Sequence, residues 1–163
     1  MKGRETYFIY TDGSCDVNPG GNGGYAAVII KDSKPQIITG YEPKTTNQRM
    51  ELKAAIEAIR ICDELPDIEL YSDSAYMCNM FNNYWVKAWV KNGWKNAKGE
   101  PVANKDLIED LLSLILSREG TTKFIKVKGH SDNVFNNKCD EMAKSIIQFK
   151  LLIDKLLKDN KGG

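Results

Sequence analysis

Near residue 46 the chain changes its hydrophobic period, and that change narrows the possible folds more than any other property of the sequence. Before it lie three short runs rich in β-branched and aromatic residues: Thr6 to Thr11, Tyr25 to Lys31 and Gln36 to Tyr41. Asp12 to Gly24 (DGSCDVNPGGNGG) and Asp32 to Pro35 separate them, and both are dense in turn formers. Turn-forming connections between successive strands predict an antiparallel meander. From Thr46 to Cys62 the period becomes helical, with Leu52, Ala55, Ile56, Ile59 and Cys62 on one side.

The rest of the chain alternates. Pro66 punctuates, and Ile68 to Ser72 reads as a strand. Ser74 to Asn82 and Tyr84 to Lys91 read as short helices, Asn92 to Pro101 as a loop, and Leu107 to Leu116 as an apolar helix. Lys123 to Lys128 alternates as a half-buried strand, and Asn136 to Lys158 as a long last helix. The order βββαβαααβα predicts an α/β fold: a mixed sheet with helices on its faces. The chain has 163 residues and shows no repeat, linker or low-complexity tract. A single domain over residues 1–163 is expected. The end of the last helix, with Leu151, Leu152, Ile153, Leu156 and Leu157, is expected to pack on that domain, with contact to a partner as the alternative.

Charge and cysteine usage exclude several classes. The 23 basic and 22 acidic residues give a formal net charge of +1, so any nucleic-acid surface must be local. Cys15, Cys62, Cys78 and Cys139 contain no CxxC pair, and His130 is the single histidine, so the usual zinc ligands are missing. Charged Met1 to Arg4 leads straight into a strand, with no secretion signal or membrane span visible. Reduced thiols and a cytoplasmic location are therefore expected.

Four carboxylates stand out by position. Asp12 and Asp73 each follow a strand-like run, where functional groups of α/β sheets gather. Each alone also fits a turn residue or helix cap. Projection at about 100° per residue puts Glu51 on the face of Ala55, Ala58 and Cys62, opposite Lys53, Glu57, Arg60 and Glu64. A carboxylate aimed at the core is costly unless it is paired or binds a metal. A first-turn Glu engaged in a capping box is the competing reading. Asp140 flanks the stripe of Met142, Ala143, Ile146 and Phe149, and by itself fits a surface acid favoured by the helix dipole. Carboxylates without histidine partners favour hard cations, Mg²⁺ or Mn²⁺, which suit phosphoryl transfer.

A basic segment follows the short helices. Lys87, Lys91 and Lys95 are four residues apart, Lys98 lies beyond, and Trp85, Trp89 and Trp94 are interleaved. Such a segment can grip phosphates and bases. It equally fits core tryptophans beside a solvated lysine face. Asn18, Asn47 and Gln48 fit turn formation and helix capping. Gly20, Gly21, Gly23 and Gly24 lack the lysine and following helix of a phosphate loop, so a hairpin turn is the better reading.

Taken together, five ordered blocks resemble the motifs of the type 1 ribonuclease H family. They are Thr11–Cys15 with Asn18–Pro19–Gly20, Thr46–Leu52, Tyr71–Ser74, Lys128–Gly129–His130, and Asn137–Ala143. The resemblance implies a five-stranded mixed sheet whose first three strands are antiparallel, and cleavage of the RNA strand of an RNA–DNA hybrid. It implies two Mg²⁺ ions, with Mn²⁺ as a substitute, held by Asp12, Glu51, Asp73 and Asp140. Asp12 would bridge the ions, Asp140 would sit on the side of the attacking water, and Glu51 and Asp73 on the side of the leaving 3′ oxygen. The products would carry 5′-phosphate and 3′-hydroxyl ends. His130 would assist proton transfer or product departure.

The same resemblance makes Trp85, Lys87, Lys91 and Lys95 a grip on the DNA strand. Asn18, Asn47 and Gln48 would contact RNA 2′-hydroxyls, and Thr46 and Asn104 a DNA phosphate. A monomer without a separate hybrid-binding domain is expected. The competing readings are a silent hybrid-binding module, another nuclease on a related fold, and a domain of a reverse transcriptase.

Overall fold

In the computed structural model, which describes residues 4–129 and 133–161, ten elements follow the expected order. They are β1 (Thr6–Cys15), β2 (Gly23–Lys31), β3 (Lys34–Glu42), α1 (Asn47–Arg60), β4 (Asp67–Ser72), α2 (Ala75–Asn82), α3 (Trp85–Asn92), α4 (Lys105–Leu116), β5 (Thr122–Lys126) and α5 (Val134–Lys161). The sheet order is β3-β2-β1-β4-β5. β1, β2 and β3 pair antiparallel, whereas β4 runs parallel to both β1 and β5. The carboxyl ends of β1 and β4 therefore open at the same edge.

The strands are longer than their hydrophobic runs, and this corrects one expectation. Asp12 does not follow β1 but lies inside it, opposite Ala26, and the ladder continues to Cys15 opposite Gly23. Backbone pairing overrides the turn propensity of these residues. The turn contracts to Asp16–Asn22, where the Asp16 carboxylate accepts the Val17 and Asn22 N–H groups at 2.7 Å each. Gly23 and Gly24 thus belong to β2. A Cβ at Gly24 would overlap the Ala143 carbonyl, so the bare glycine is what lets α5 lie against the sheet. The second turn likewise shrinks to Asp32 and Ser33, at φ 50° and 64°, a left-handed pair matched to hairpin twist. Pro35 enters the ladder on β3, an edge strand, where its missing N–H is harmless.

Two apolar layers sandwich the sheet. On one face Tyr7, Ile9, Ala27 and Ile29 pack with Leu52, Ile56 and Ile59 of α1 and Ile108 and Leu111 of α4. On the other, Ala26 and Val28 meet Cys139 and Ala143 of α5. The four cysteines are free thiols. Among the described residues no helix is long and apolar enough to cross a membrane.

The end of α5 departs from expectation. Ile147 is its last buried residue, and Phe149, Leu151, Leu152, Leu156 and Leu157 are 43–58% exposed. Its 28 residues make a helix about 42 Å long, against about 30 Å for a nine-residue strand, so the helix outruns the sheet that could cover it.

Candidate active site

The site forms where β1 and β4 stop pairing. Their parallel register ends at Tyr10 opposite Tyr71, which leaves Asp12 and Asp73 beyond the last shared rung. Gly13 has no side chain, and a Cβ there would overlap the α1 backbone at Met50 and Glu51. That close approach brings Glu51 to the end of the sheet. Asp12, Glu51 and Asp73 each offer a carboxylate oxygen, and these oxygens lie within 4.8 Å of one another. The capping-box alternative for Glu51 does not hold. Thr46 caps α1 by accepting the Arg49 N–H at 3.1 Å, so the capping-box position is Arg49, and Glu51 sits two residues further in.

Burial dominates the electrostatics. Asp12 is 4% exposed and Glu51 8%. Desolvation raises the Asp12 carboxyl to about 7, with further upward pushes from the charges of Asp73 and Asp140. Desolvation also raises Glu51 well above its ordinary value, reinforced by the charge of Asp12. The two carboxyls share a hydrogen bond. Asp12 also accepts the Gly13 N–H at 2.9 Å, while Glu51 Oε2 is buried with no partner. A buried, orphaned carboxylate oxygen beside two further carboxylates fits a divalent cation. The all-oxygen donor set fits a hard ion such as Mg²⁺.

These shifts set a stability signature. Below about pH 4 both folded and unfolded chains hold the Asp12 proton. Between about 4 and 7 the folded chain keeps it and the unfolded chain has lost it, so metal-free stability falls as pH rises through that window. In EDTA at pH 8, Asp12→Asn should therefore melt above the wild type. A shift of this size corresponds to at most about 4 kcal/mol; because Asp12 titrates coupled to Glu51, the expected gain is about 2 kcal/mol, or roughly 4–8 °C. Saturating Mg²⁺ should raise the wild-type Tm selectively. A lower Tm for Asp12→Asn in EDTA would contradict the electrostatic account.

Asp140 stands outside the three-carboxylate group. It lies in the second turn of α5, where Lys144 Nζ donates to its Oδ2 at 3.1 Å, yet it is close enough for its charge to raise Asp12. Lys144 is not among the residues singled out from sequence, although its spacing of four residues from Asp140 is a legible signal. His130 lies outside the described residues. Gly129, just before it, is beside Asp73, where a Cβ would stand 3.2 Å from Oδ2.

The polar residues form a rim. Asn18 Oδ1 accepts the Asn47 N–H at 3.0 Å, and Gly20 and Gly21 exchange backbone bonds with Thr45. The β1–β2 turn and the start of α1 are thus laced together, with Asn18, Asn47 and Gln48 all exposed. Arg49 organises this rim, a role its local sequence does not reveal. Its guanidinium pairs with both Asp106 oxygens, at 3.0 and 2.8 Å, and holds that carboxyl down to about 2. Arg49 also donates to Asn104 Oδ1 at 3.3 Å. A basic residue in a helix's first turn opposes the helix dipole, which is a signal that it has another task. Asn104 stands at φ 62°, a conformation asparagine tolerates. Its amide donates to the Tyr76 hydroxyl at 3.1 Å.

The basic segment occupies α3 and the following loop. Trp89 and Trp94 pack partly buried on the core, whereas Trp85 is 40% exposed. Lys87, Lys91, Lys95 and Lys98 are exposed and enter no ion pair among the described residues.

Comparison with known proteins agrees with this geometry. The RNase H family model matches residues 4–148. Ribonuclease H of Chlorobaculum parvum is 49% identical over 144 residues, spanning 88% of this chain and 97% of that protein. Ribonuclease H of Moorella thermoacetica is 49% identical over 139 residues, spanning 85% and 90%. Among solved structures, LC9-RNase H1, a type 1 RNase H with the type 2 active-site motif, superposes with a TM-score of 0.74 at 21% identity, covering 91% of this chain and 74% of that one. LC11-RNase H1 in complex with an RNA/DNA hybrid gives 0.69 at 21% identity, covering 89% and 99%. The sheet order, the carboxylate cluster at its open edge and these likenesses agree: the chain belongs to the ribonuclease H family.

Proposed function

We propose that this chain is an endoribonuclease that hydrolyses the RNA strand of an RNA–DNA hybrid by a two-metal-ion mechanism. The observation that carries the reading is the buried, unpartnered Glu51 Oε2 within the Asp12–Glu51–Asp73 cluster, in a chain of the ribonuclease H family. Asp12, Glu51, Asp73 and Asp140 would hold two Mg²⁺ ions, or Mn²⁺ in their place. When bound, these ions polarise a water for in-line attack and neutralise the charge that builds on the leaving 3′ oxygen.

The remaining work falls to the chain. Asp12 and Glu51, both raised by burial, release their protons before they act as a charged pair, so loading is favoured as pH rises. Asp140 exchanges its bond to Lys144 for the site. Asn18, Asn47 and Gln48 face the RNA strand, where 2′-hydroxyls distinguish it from DNA. Trp85 with Lys87, Lys91 and Lys95 tracks the DNA strand, and Thr46 and Asn104 take one of its phosphates. His130 moves a proton during attack or product departure. One catalytic domain, residues 1–163, carries all of these roles in the cytoplasm.

The test is cleavage of an end-labelled hybrid by the purified protein with Mg²⁺ and with EDTA, beside duplex RNA and duplex DNA. Internal cuts in the RNA strand alone, with 5′-phosphate and 3′-hydroxyl ends and only when Mg²⁺ is present, are expected. Hybrid binding without cleavage would make the chain a binding module. Cleavage of duplex DNA but not of hybrid would assign it another nuclease activity.

A further inference from the structure

The family match ends at residue 148, and the exposed apolar end of α5 begins at Phe149. Nothing in the site described above uses this segment. Its apolar residues are not scattered. Met142, Ile146, Phe149, Ile153 and Leu156 follow one another in alternating steps of four and three residues. That is the seam by which one helix packs along another. The seam is distinct from the face that α5 buries. At about 100° per residue, the seam is turned roughly 100–120° from the buried Cys139, Ala143 and Ile147. Phe149 is 58% and Leu156 54% exposed, while Met142 and Ile146 sit lower, where they line a shallow groove with Thr39, Ser145 and Phe149.

We propose that this seam is a contact between two copies of the chain, an antiparallel pairing of α5 helices that seats the free end of each in the groove of the other. The surface carries both halves of such a contact. Its early part is recessed and its end projects, so a two-fold axis near Leu151 lays Leu156 of one copy over Ile146 of the other, and Phe149 over Ile153. Leu152 and Leu157 flank the seam and widen it, and Asn160 is the next residue along it. Lys150 and Asp154 are already paired on their own helix at 3.1 Å, so the edge of the seam that carries Lys150 brings no unbalanced charge to the contact.

A membrane surface is the less fitting occupant. Asp154 and Asp159 interrupt the lysines, and Leu151 lies on the polar side. The half-exposed side chains offer on the order of 400–500 Å² of accessible surface per copy, below the ~800 Å² per partner of a standard stable interface. The dimer is therefore weak, with a Kd on the order of 10–100 μM. On the proposed hydrolase reading, the pairing places two sites in one particle and raises apparent affinity for hybrids long enough to span both. The mass measurement below does not depend on that reading.

Sedimentation of the full chain from about 5 to 500 μM tests the proposal, since the range brackets the expected Kd. The wild type should pass from one-chain to two-chain mass. Leu152→Glu/Leu156→Glu changes two residues that are each 54% exposed, and should stay monomeric with unchanged Tm and unchanged cleavage of a short hybrid. Leu152→Cys, near the two-fold axis, should form a disulfide-linked dimer under mild oxidation that leaves the wild type unlinked. A wild type that remains one chain across the whole range overturns the proposal, as does a double-Glu variant that still dimerises. A monomeric wild type that sediments with phosphatidylglycerol vesicles assigns the seam to a membrane surface and overturns it equally.

Discussion

Asp12→Asn is expected to lower hybrid cleavage with Mg²⁺ at least about 10³-fold, the scale on which removing a preorganised charge at a reacting centre acts. The substitution keeps the side chain's size and its ability to accept the Gly13 N–H. What it removes is the charge at the centre of the cluster, flanked by Glu51 and Asp73 and within reach of Asp140. The same variant should gain thermal stability without metal, because it relieves the desolvation and like-charge repulsion that raise Asp12. Opposite signs for activity and stability mark a residue kept for function at a cost to the fold. Cleavage of labelled hybrid together with a melting curve in EDTA separates this from simple unfolding. Full activity in Asp12→Asn would remove the proposed metal centre.

The second large effect is on substrate affinity. Replacing Lys87, Lys91, Lys95 and Lys98 together by alanine should weaken hybrid binding roughly 10- to 100-fold near 0.1 M salt. It should also flatten the plot of log affinity against log salt by about three units, since each phosphate contact contributes about 0.7–0.9. All four side chains are exposed and make no ion pair among the described residues, so the fold should be unaffected. Anisotropy of a labelled hybrid in EDTA measures binding without cleavage, and a Tm equal to the wild type controls for folding. The local charge matters because the whole chain carries a formal net charge of only +1. An unchanged salt slope would show that these lysines are a solvated face, and the grip on DNA would then have to lie elsewhere.

The two effects rest on differently legible parts of the chain. The position of Glu51 on a buried face could be read from sequence, because helical periodicity is local and one turn predicts the next. Asp73 follows directly on β4, as its strand-like run predicts. Turn propensity misplaces Asp12, which lies inside β1. Its run, Asp–Gly–Ser–Cys, reads as a turn locally, but the partner residues on β2 extend the ladder through it. Arg49 shows the same limit in reverse. Its motif was visible, but its bonds to Asp106 and Asn104 join residues more than 50 positions apart.

The end of α5 completes the contrast. Its apolar residues are plain in the sequence, and a long apolar helix ordinarily packs on its own domain. Whether anything covers it depends on where the sheet stops, and here the last buried residue is Ile147. The order of strands and helices, the meander and the buried face that carries Glu51 are legible from residue spacing, because each is a local property of the chain. Three features come from folding in space instead: Asp12, Glu51 and Asp73 share one desolvated cluster, Asp140 pairs with Lys144 beside it, and α5 ends uncovered. Those outcomes depend on register, on close approach at Gly13 and Gly24, and on burial. All three are set by contacts between segments that are distant in the chain.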